Sequence, residues 1–164
     1  MAKQILGIHI VQDRTMKLWL SQEKYVTKVL QIFNMQDAKP IGSTLLTNNK
    51  LNGSQCPKTK EKAEMSKISY ALVVGSLMYA MVCTRSDIAY VVGMVSQFMS
   101  NPGKEHWAVV KWILRYLRGT SSVCLTYNSS NPVLEGFTDS DMADVDTNRS
   151  TSGYVMMYAG QSRL

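Results

Sequence analysis

A row of basic and aromatic side chains has a spacing that suits contact with a phosphate backbone. In an α-helix of about 3.6 residues per turn, basic residues seven, four and three positions apart share one face. Lysine and arginine neutralise phosphates, and neighbouring aromatic rings can stack on bases. An ordinary solvated helix face over a core would show a similar row of charges, so this alternative stays open. The row consists of Lys104, Lys111, Arg115 and Arg118, flanked by Trp112 and Tyr116.

Four aspartates within eight residues form a second candidate site. They are Asp139, Asp141, Asp144 and Asp146. Clustered carboxylates provide the hard oxygen ligands that Mg²⁺ and Ca²⁺ prefer. The calcium-loop pattern fails, because Asp144 stands where that loop needs glycine. If Asp139 ends a strand, it could enter a magnesium site, whereas a polar turn would explain the same composition.

Three helices are predicted to position the basic row. The first covers about Ser69–Val82, and the third runs from Lys104 to Leu117 with Gly119 as its stop. The second begins at a cap, Thr84 or Ser86, and ends at 101–103. Two apolar stripes should face the core. They are Ile88, Val91, Val92, Val95 and Met99 in the second helix, and Trp107, Val110, Leu114 and Leu117 in the third.

Strands are predicted on both sides of the helical region. Gln4–Val11 and Met16–Leu20 have the composition of a hairpin, and Ser21 is placed to cap a helix that ends near Asn34. Residues 38–64 contain proline, glycine and asparagine breaks that predict a long exposed loop. After Gly119 the pattern favours strands again: Val123–Tyr127, Leu134–Thr138 and Tyr154–Tyr158.

The charge distribution divides the chain near residue 120. Residues 1–120 carry 16 Lys and Arg against 7 Asp and Glu, a net charge of +9, whereas residues 121–164 carry 2 against 5, a net charge of −3. A basic body favours a polyanionic partner. The three widely spaced cysteines argue against a disulfide framework and indicate a reducing, intracellular compartment. The longest apolar run, Tyr70–Cys83, is too short for a membrane span, so no membrane partner is expected.

Blocks of residues along nearly the whole chain resemble the Pol polyprotein of copia-type retrotransposons. Their order and spacing make the resemblance specific, although no single block is decisive. The main blocks are Ile5-Leu6-Gly7-Ile8, Val74-Gly75-Ser76-Leu77-Met78-Tyr79, Cys83-Thr84-Arg85-Ser86-Asp87-Ile88-Ala89, Lys111-Trp112-Ile113-Leu114-Arg115-Tyr116-Leu117-Arg118-Gly119-Thr120, Gly136-Phe137-Thr138-Asp139-Ser140-Asp141 and Arg149-Ser150-Thr151-Ser152-Gly153-Tyr154.

The resemblance implies an α+β chain of two parts. Residues 1–120 would be the C-terminal part of a reverse transcriptase: a hairpin whose Leu6 and Gly7 position the primer end, then a helical thumb and connection bundle that grips an RNA–DNA hybrid. Residues 121–164 would be the first antiparallel strands of an incomplete ribonuclease H-like domain. Asp139 would be the first catalytic, metal-binding aspartate, with Mg²⁺ as the cofactor of the parent enzyme and the rest of the polyprotein as partner.

The chain also departs from the family pattern. The Tyr-x-Asp-Asp strand of the polymerase and the later carboxylates of ribonuclease H are absent from its 164 residues. Met142 replaces the usual tryptophan, Ser86 replaces the usual proline, and one residue is missing after Ala143. We therefore expect a gene-model fragment of a decayed copy that is catalytically inactive alone and binds no Mg²⁺ tightly. A non-catalytic nucleic-acid-binding module that uses helix 104–118 is the alternative, and an unstable remnant with an exposed sheet edge is a third.

Overall fold

The computed structural model describes residues 3–13, 17–44, 51–57, 62, 64–127, 134–141, 151–158 and 162–163. It combines α-helices with antiparallel sheet, which confirms the α+β prediction. Within these residues, no helix is long and apolar enough to cross a bilayer. The elements are β1 (Gln4–Ile5), β2 (Ile8–Gln12), β3 (Leu18–Ser21), α1 (Glu23–Ile32), α2 (Tyr70–Cys83), α3 (Ala89–Ser96), α4 (Lys104–Gly119), β4 (Cys124–Tyr127), β5 (Leu134–Asp141), β6 (Thr151–Tyr158) and β7 (Ser162–Arg163).

The N-terminal strands form a three-stranded meander rather than a simple hairpin. The predicted continuous strand Gln4–Val11 was wrong, because Leu6 and Gly7 have φ angles of +48° and +77° and reverse the chain. These left-handed conformations are incompatible with extended backbone. Gln4 consequently pairs with His9, and β2 pairs with β3, with Gln12 opposite Leu18.

A non-local strand pair joins the N-terminal strands to the segment that follows α4. β3 pairs antiparallel with β4, with Leu18 opposite Tyr127 and Ser21 opposite Cys124. The resulting sheet has the order β1-β2-β3-β4-β7, while β5 and β6 form a separate two-stranded sheet. Strand hydrogen bonds therefore connect the segments before and after residue 120. The division into domains 1–120 and 121–164 stays a prediction.

The core lies among the four helices, as the apolar periodicity predicted. Val110, Leu114 and Leu117 of α4 are buried, and Trp107 of the same stripe packs partly buried against the core. The ring of Trp107 lies 6.4 Å from that of Tyr70. Further buried side chains come from α1 (Val26, Val29, Leu30), α2 (Tyr70, Val73, Val74, Leu77, Ala80), the turn before α3 (Ile88), α3 (Val91, Val92, Val95) and α4 (Val109, Ile113).

The predicted helix boundaries need three corrections. Ser21 stays in β3, and α1 begins two residues later, although the Ser21 Oγ still accepts a hydrogen bond from the Glu23 N–H at 3.3 Å. Thr84 caps no helix, because its hydroxyl donates to the Gln22 side-chain oxygen at 2.7 Å. α3 ends at Ser96, so Met99 lies beyond the helix and is 39% exposed.

A buried arginine links the α2–α3 connection to the end of α4. Arg85 is 1% exposed and pairs with Asp87 through two hydrogen bonds of 3.1 and 2.8 Å. Its other donors reach the carbonyl oxygen and hydroxyl of Thr120 at 2.9 and 2.6 Å. The Tyr116 hydroxyl donates to Asp87 at 2.7 Å, and the Arg85 guanidinium lies 5.4 Å from the centre of the Tyr116 ring.

This network controls the ionisation of Asp87. Burial raises the pKa of Asp87, but hydrogen bonds from Arg85 and Tyr116 and the charge of Arg85 outweigh burial and lower it below its usual value. A carboxylate with a lowered folded-state pKa stabilises the fold above its unfolded-state pKa. That stabilisation is lost as the pH falls through the folded-state value.

Replacing Asp87 by asparagine should leave the Arg85 charge buried without its counterion. Breaking a buried ion pair costs about 3–5 kcal/mol, so Asp87→Asn should lower the free energy of unfolding by about 3 kcal/mol at pH 7. The difference from the wild type should begin to shrink as the pH falls below about 4, where the unfolded-state carboxylate binds a proton, and should disappear only below the lowered folded-state pKa of Asp87. Urea unfolding at pH 7 and at pH 3 measures both effects.

Glu23→Gln is the matched control, because it removes the same charge from an exposed carboxylate. Its effect should stay below about 1 kcal/mol. Equal losses for the two variants at pH 7 would show that the Arg85 network contributes nothing specific to stability.

Candidate nucleic-acid interface

Helix α4 carries the predicted basic row along its length. Lys104, Lys111 and Arg118 are exposed, and Arg115 is partly buried. At a rise of about 1.5 Å per residue, Lys104 and Arg118 are about 21 Å apart along the helix axis. The helix forms here because its opposite face supplies the buried stripe, while good helix formers occupy the outer face. The structure therefore brings the four basic residues onto one element, as the spacing predicted.

A segment that overlaps the start of the predicted 38–64 loop covers part of this face. We call residues Gln36–Ser43 the strap. Arg118 Nε donates to the Gln36 carbonyl at 2.6 Å, and Arg115 Nε donates to the Lys39 carbonyl at 2.8 Å. These contacts could not be predicted from the sequence, because a backbone carbonyl acceptor leaves no signature in residue types. The central part of the predicted 38–64 loop lies outside the described residues.

Trp112 and Tyr116, the two aromatic residues predicted to contact nucleic acid, both make hydrogen bonds within the protein. Trp112 Nε1 donates to the Ser43 carbonyl at 2.9 Å, and the Arg115 guanidinium lies 5.4 Å from the centre of the Trp112 ring. Tyr116 belongs to the Arg85 network, where burial raises the pKa of Tyr116 and its hydrogen bond to Asp87 raises it further. Stacking of bases on Trp112 or Tyr116 stays a prediction.

The N-terminal end of α4 has a different environment. The Lys104 ammonium pairs with Glu64 at 3.0 Å, with both side chains exposed. Such exposed pairs contribute little to the stability of a fold. His106 is buried, and its Nδ1 accepts the Gly103 N–H at 2.8 Å. Burial lowers the pKa of His106 and thereby favours the neutral imidazole. The charge of the nearby Glu105 acts in the opposite direction but is outweighed.

Gly103 allows a close approach of the chain at this end. A Cβ atom at Gly103 would lie 2.0 Å from the Gln55 carbonyl oxygen, so only glycine fits there without a shift of the backbone. A cavity of about 290 Å³ lies nearby, between the start of α2 and the end of α3. None of the predicted site residues lines this cavity.

The remaining predicted site residues lie in the β1–β2 turn and in β5. Leu6 is 79% exposed at the β1–β2 turn, and its carbonyl accepts a hydrogen bond from the Tyr79 hydroxyl. Asp139 lies within β5 opposite Gly153, and Asp141 lies opposite Thr151. The described residues contain no group of three or more metal-ligating side chains, and Asp144 and Asp146 lie outside them. The primer-positioning role of Leu6 and Gly7 and the magnesium role of Asp139 stay predictions.

Known proteins resemble the chain along most of its length. It is 57% identical over 162 residues to the retrovirus-related Pol polyprotein from transposon TNT 1-94 of Nicotiana tabacum, which covers 97% of this chain and 12% of that protein. It is 36% identical over 141 residues to the Pol polyprotein from transposon RE2 of Arabidopsis thaliana, which covers 85% of this chain and 9% of that protein. The chain thus spans about a tenth of the length of these polyproteins.

A shorter relative has a different name. The secreted RxLR effector protein 161 of Plasmopara viticola is 43% identical over 98 residues, which cover 58% of this chain and 69% of that protein. No protein-family model matches the chain, and no solved structure matches it significantly.

Proposed function

The chain belongs to the retrovirus-related Pol polyproteins of copia-type transposons, and from this premise we propose that it holds the RNA–DNA hybrid in such a polyprotein. The observation that carries the proposal is the basic face of α4, where Lys104, Lys111 and Arg118 are exposed on one element. Phosphate neutralisation by such a face is independent of base sequence. A polymerase needs contacts of this kind with its duplex.

The other elements take roles that follow from the same proposal. The turn at Leu6 and Gly7 would contact the primer end, since it is exposed and has a fixed left-handed backbone. The helices would form the thumb and connection, and β5–β6 would be the first strands of a ribonuclease H-like domain. The antiparallel register that places Asp139 opposite Gly153 supports this last assignment.

Asp139 alone would not complete a magnesium site. Mg²⁺ prefers octahedral oxygen coordination. The carboxylates in the sequence of β5 are Glu135, Asp139 and Asp141. When bound, Mg²⁺ would supply charge stabilisation and activation of the attacking oxygen during phosphodiester cleavage. Asp139 would hold the ion only together with carboxylates from the rest of the polyprotein.

Binding of an RNA–DNA hybrid should be strong at low salt and independent of sequence. The variant Lys111→Glu/Arg115→Glu/Arg118→Glu should abolish binding, since it replaces three cations by anions on one face. Titration of a labelled 20-base-pair hybrid at several salt concentrations measures the affinity. The plot of log K against log salt for the wild type should have a slope of about −0.9 for each phosphate contacted.

The matched control is Lys3→Glu/Lys17→Glu/Lys67→Glu, which makes the same charge change at exposed lysines outside α4. It should keep most of the affinity of the wild type. Equal loss in the two triple variants would show that net charge, not the α4 face, determines binding.

The purified chain should bind nucleic acid without turning it over. With Mg²⁺ present we expect no incorporation of nucleotides on a primed template and no cleavage of RNA in a hybrid, because a two-metal site needs more carboxylates than Asp139 and its neighbours provide. Gel assays of primer extension and of RNA cleavage test this. Magnesium-dependent product that disappears in Asp139→Asn would refute the non-catalytic interpretation.

A further inference from the structure

The strap follows α4 in antiparallel direction and is held at three points. The donors are Arg118, Arg115 and Trp112, each three residues apart, and the acceptors are the carbonyl oxygens of Gln36, Lys39 and Ser43 at 2.6, 2.8 and 2.9 Å. Two of these hydrogen bonds involve a charged donor, which makes them stronger than neutral ones. The basic and aromatic row of α4 therefore also binds a segment of backbone within the same chain.

Close packing at the end of α4 adds to these hydrogen bonds. A Cβ atom at Gly119 would lie 3.1 Å from the Pro40 Cβ and 3.2 Å from the Ile41 carbonyl oxygen. The strap thus touches the helix backbone at Gly119, where the absence of a side chain permits the approach. Pro40 restricts the strap further, since its ring fixes φ.

Holding the strap brings the backbone of another lysine beside the basic face. The Lys39 carbonyl lies 2.8 Å from Arg115 Nε, and Lys39 is exposed. Lys111 lies one helical turn before Arg115 on the same face. Asp37, also exposed on the strap, is the acidic neighbour that partly offsets this charge.

We propose that Lys39 is a phosphate-binding residue of the α4 interface, and that Trp112, Arg115 and Arg118 are positioning residues that hold the strap in place for it. The proposal rests on the proposed function, because it assigns a further contact to the same surface. The ligand is the phosphate backbone of a nucleic acid. Lys39 acts as an exposed point charge, while the two arginines act on the strap through Nε.

A double-mutant cycle tests this assignment in the full chain. Lys39→Gln should weaken binding of the labelled hybrid about three- to tenfold and reduce the salt slope by about 0.9, the value for one phosphate contact. The variant Trp112→Phe/Arg115→Met/Arg118→Met, called the donor-free variant, removes the three strap donors but keeps an aromatic ring and apolar stems. In that background Lys39→Gln should change the affinity less than twofold, because the strap no longer fixes Lys39.

Backbone ¹⁵N relaxation supplies a readout that does not depend on binding. The order parameters S² of residues 37–39 and 41–43 should fall in the donor-free variant, while those of α2 stay near the value of rigid backbone. Lys17→Gln, a charge change at an exposed residue before β3, is the control and should leave the salt slope unchanged. Unchanged order parameters of the strap in the donor-free variant would overturn the positioning role of the three residues.

The outcomes separate this inference from the proposed function. If the wild type fails to bind the hybrid at low salt, the proposed function is wrong, and the assignment of Lys39 falls with it. If the wild type binds and Lys39→Gln binds equally well with the same slope, the phosphate-binding role of Lys39 is wrong, while the α4 interface stands. An equal effect of Lys39→Gln in both backgrounds would show that the strap contacts do not position Lys39.

Discussion

The buried guanidinium of Arg85 is the constraint on which the helical arrangement depends. A charged group removed from water must find partners for its donors, because an unpaired buried charge costs more than most folds can tolerate. The partners here are Asp87 beside it and Thr120 at the end of α4. Satisfying one side chain therefore fixes where α4 stops, and the chain that leaves it can reach β3 as strand β4.

The two faces of α4 make different contacts. Its inner face supplies five buried side chains to the core besides His106, so the position of α4 is set by packing. Its outer face then has a defined position relative to the rest of the chain, and this is what allows side chains three residues apart to hold the strap. A rigid helix is a better base for a charged surface than a loop, since its side chains keep their spacing.

The sequence predicted what depends on local periodicity and missed what depends on non-local contacts. The helices, the buried stripe of Val110, Leu114 and Leu117, and the strands after residue 119 follow from spacings of 3.6 and 2 residues. The break at Leu6 was missed because a leucine rarely adopts positive φ, so its residue type favours a strand. The pairing of β3 with β4, more than a hundred residues apart, and the strap carbonyls have no local signature.

The number of donors on each side chain decides how a structural contact and a binding role can coexist. A guanidinium carries five N–H donors, so Arg115 and Arg118 keep their charge and further donors after one Nε is given to the strap. The indole of Trp112 has a single N–H, and Ser43 takes it. The outer face of α4 can therefore still attract phosphates by charge, whereas Trp112 has no donor left with which to recognise a base edge. This distribution suits a surface that recognises the backbone of a duplex rather than its sequence.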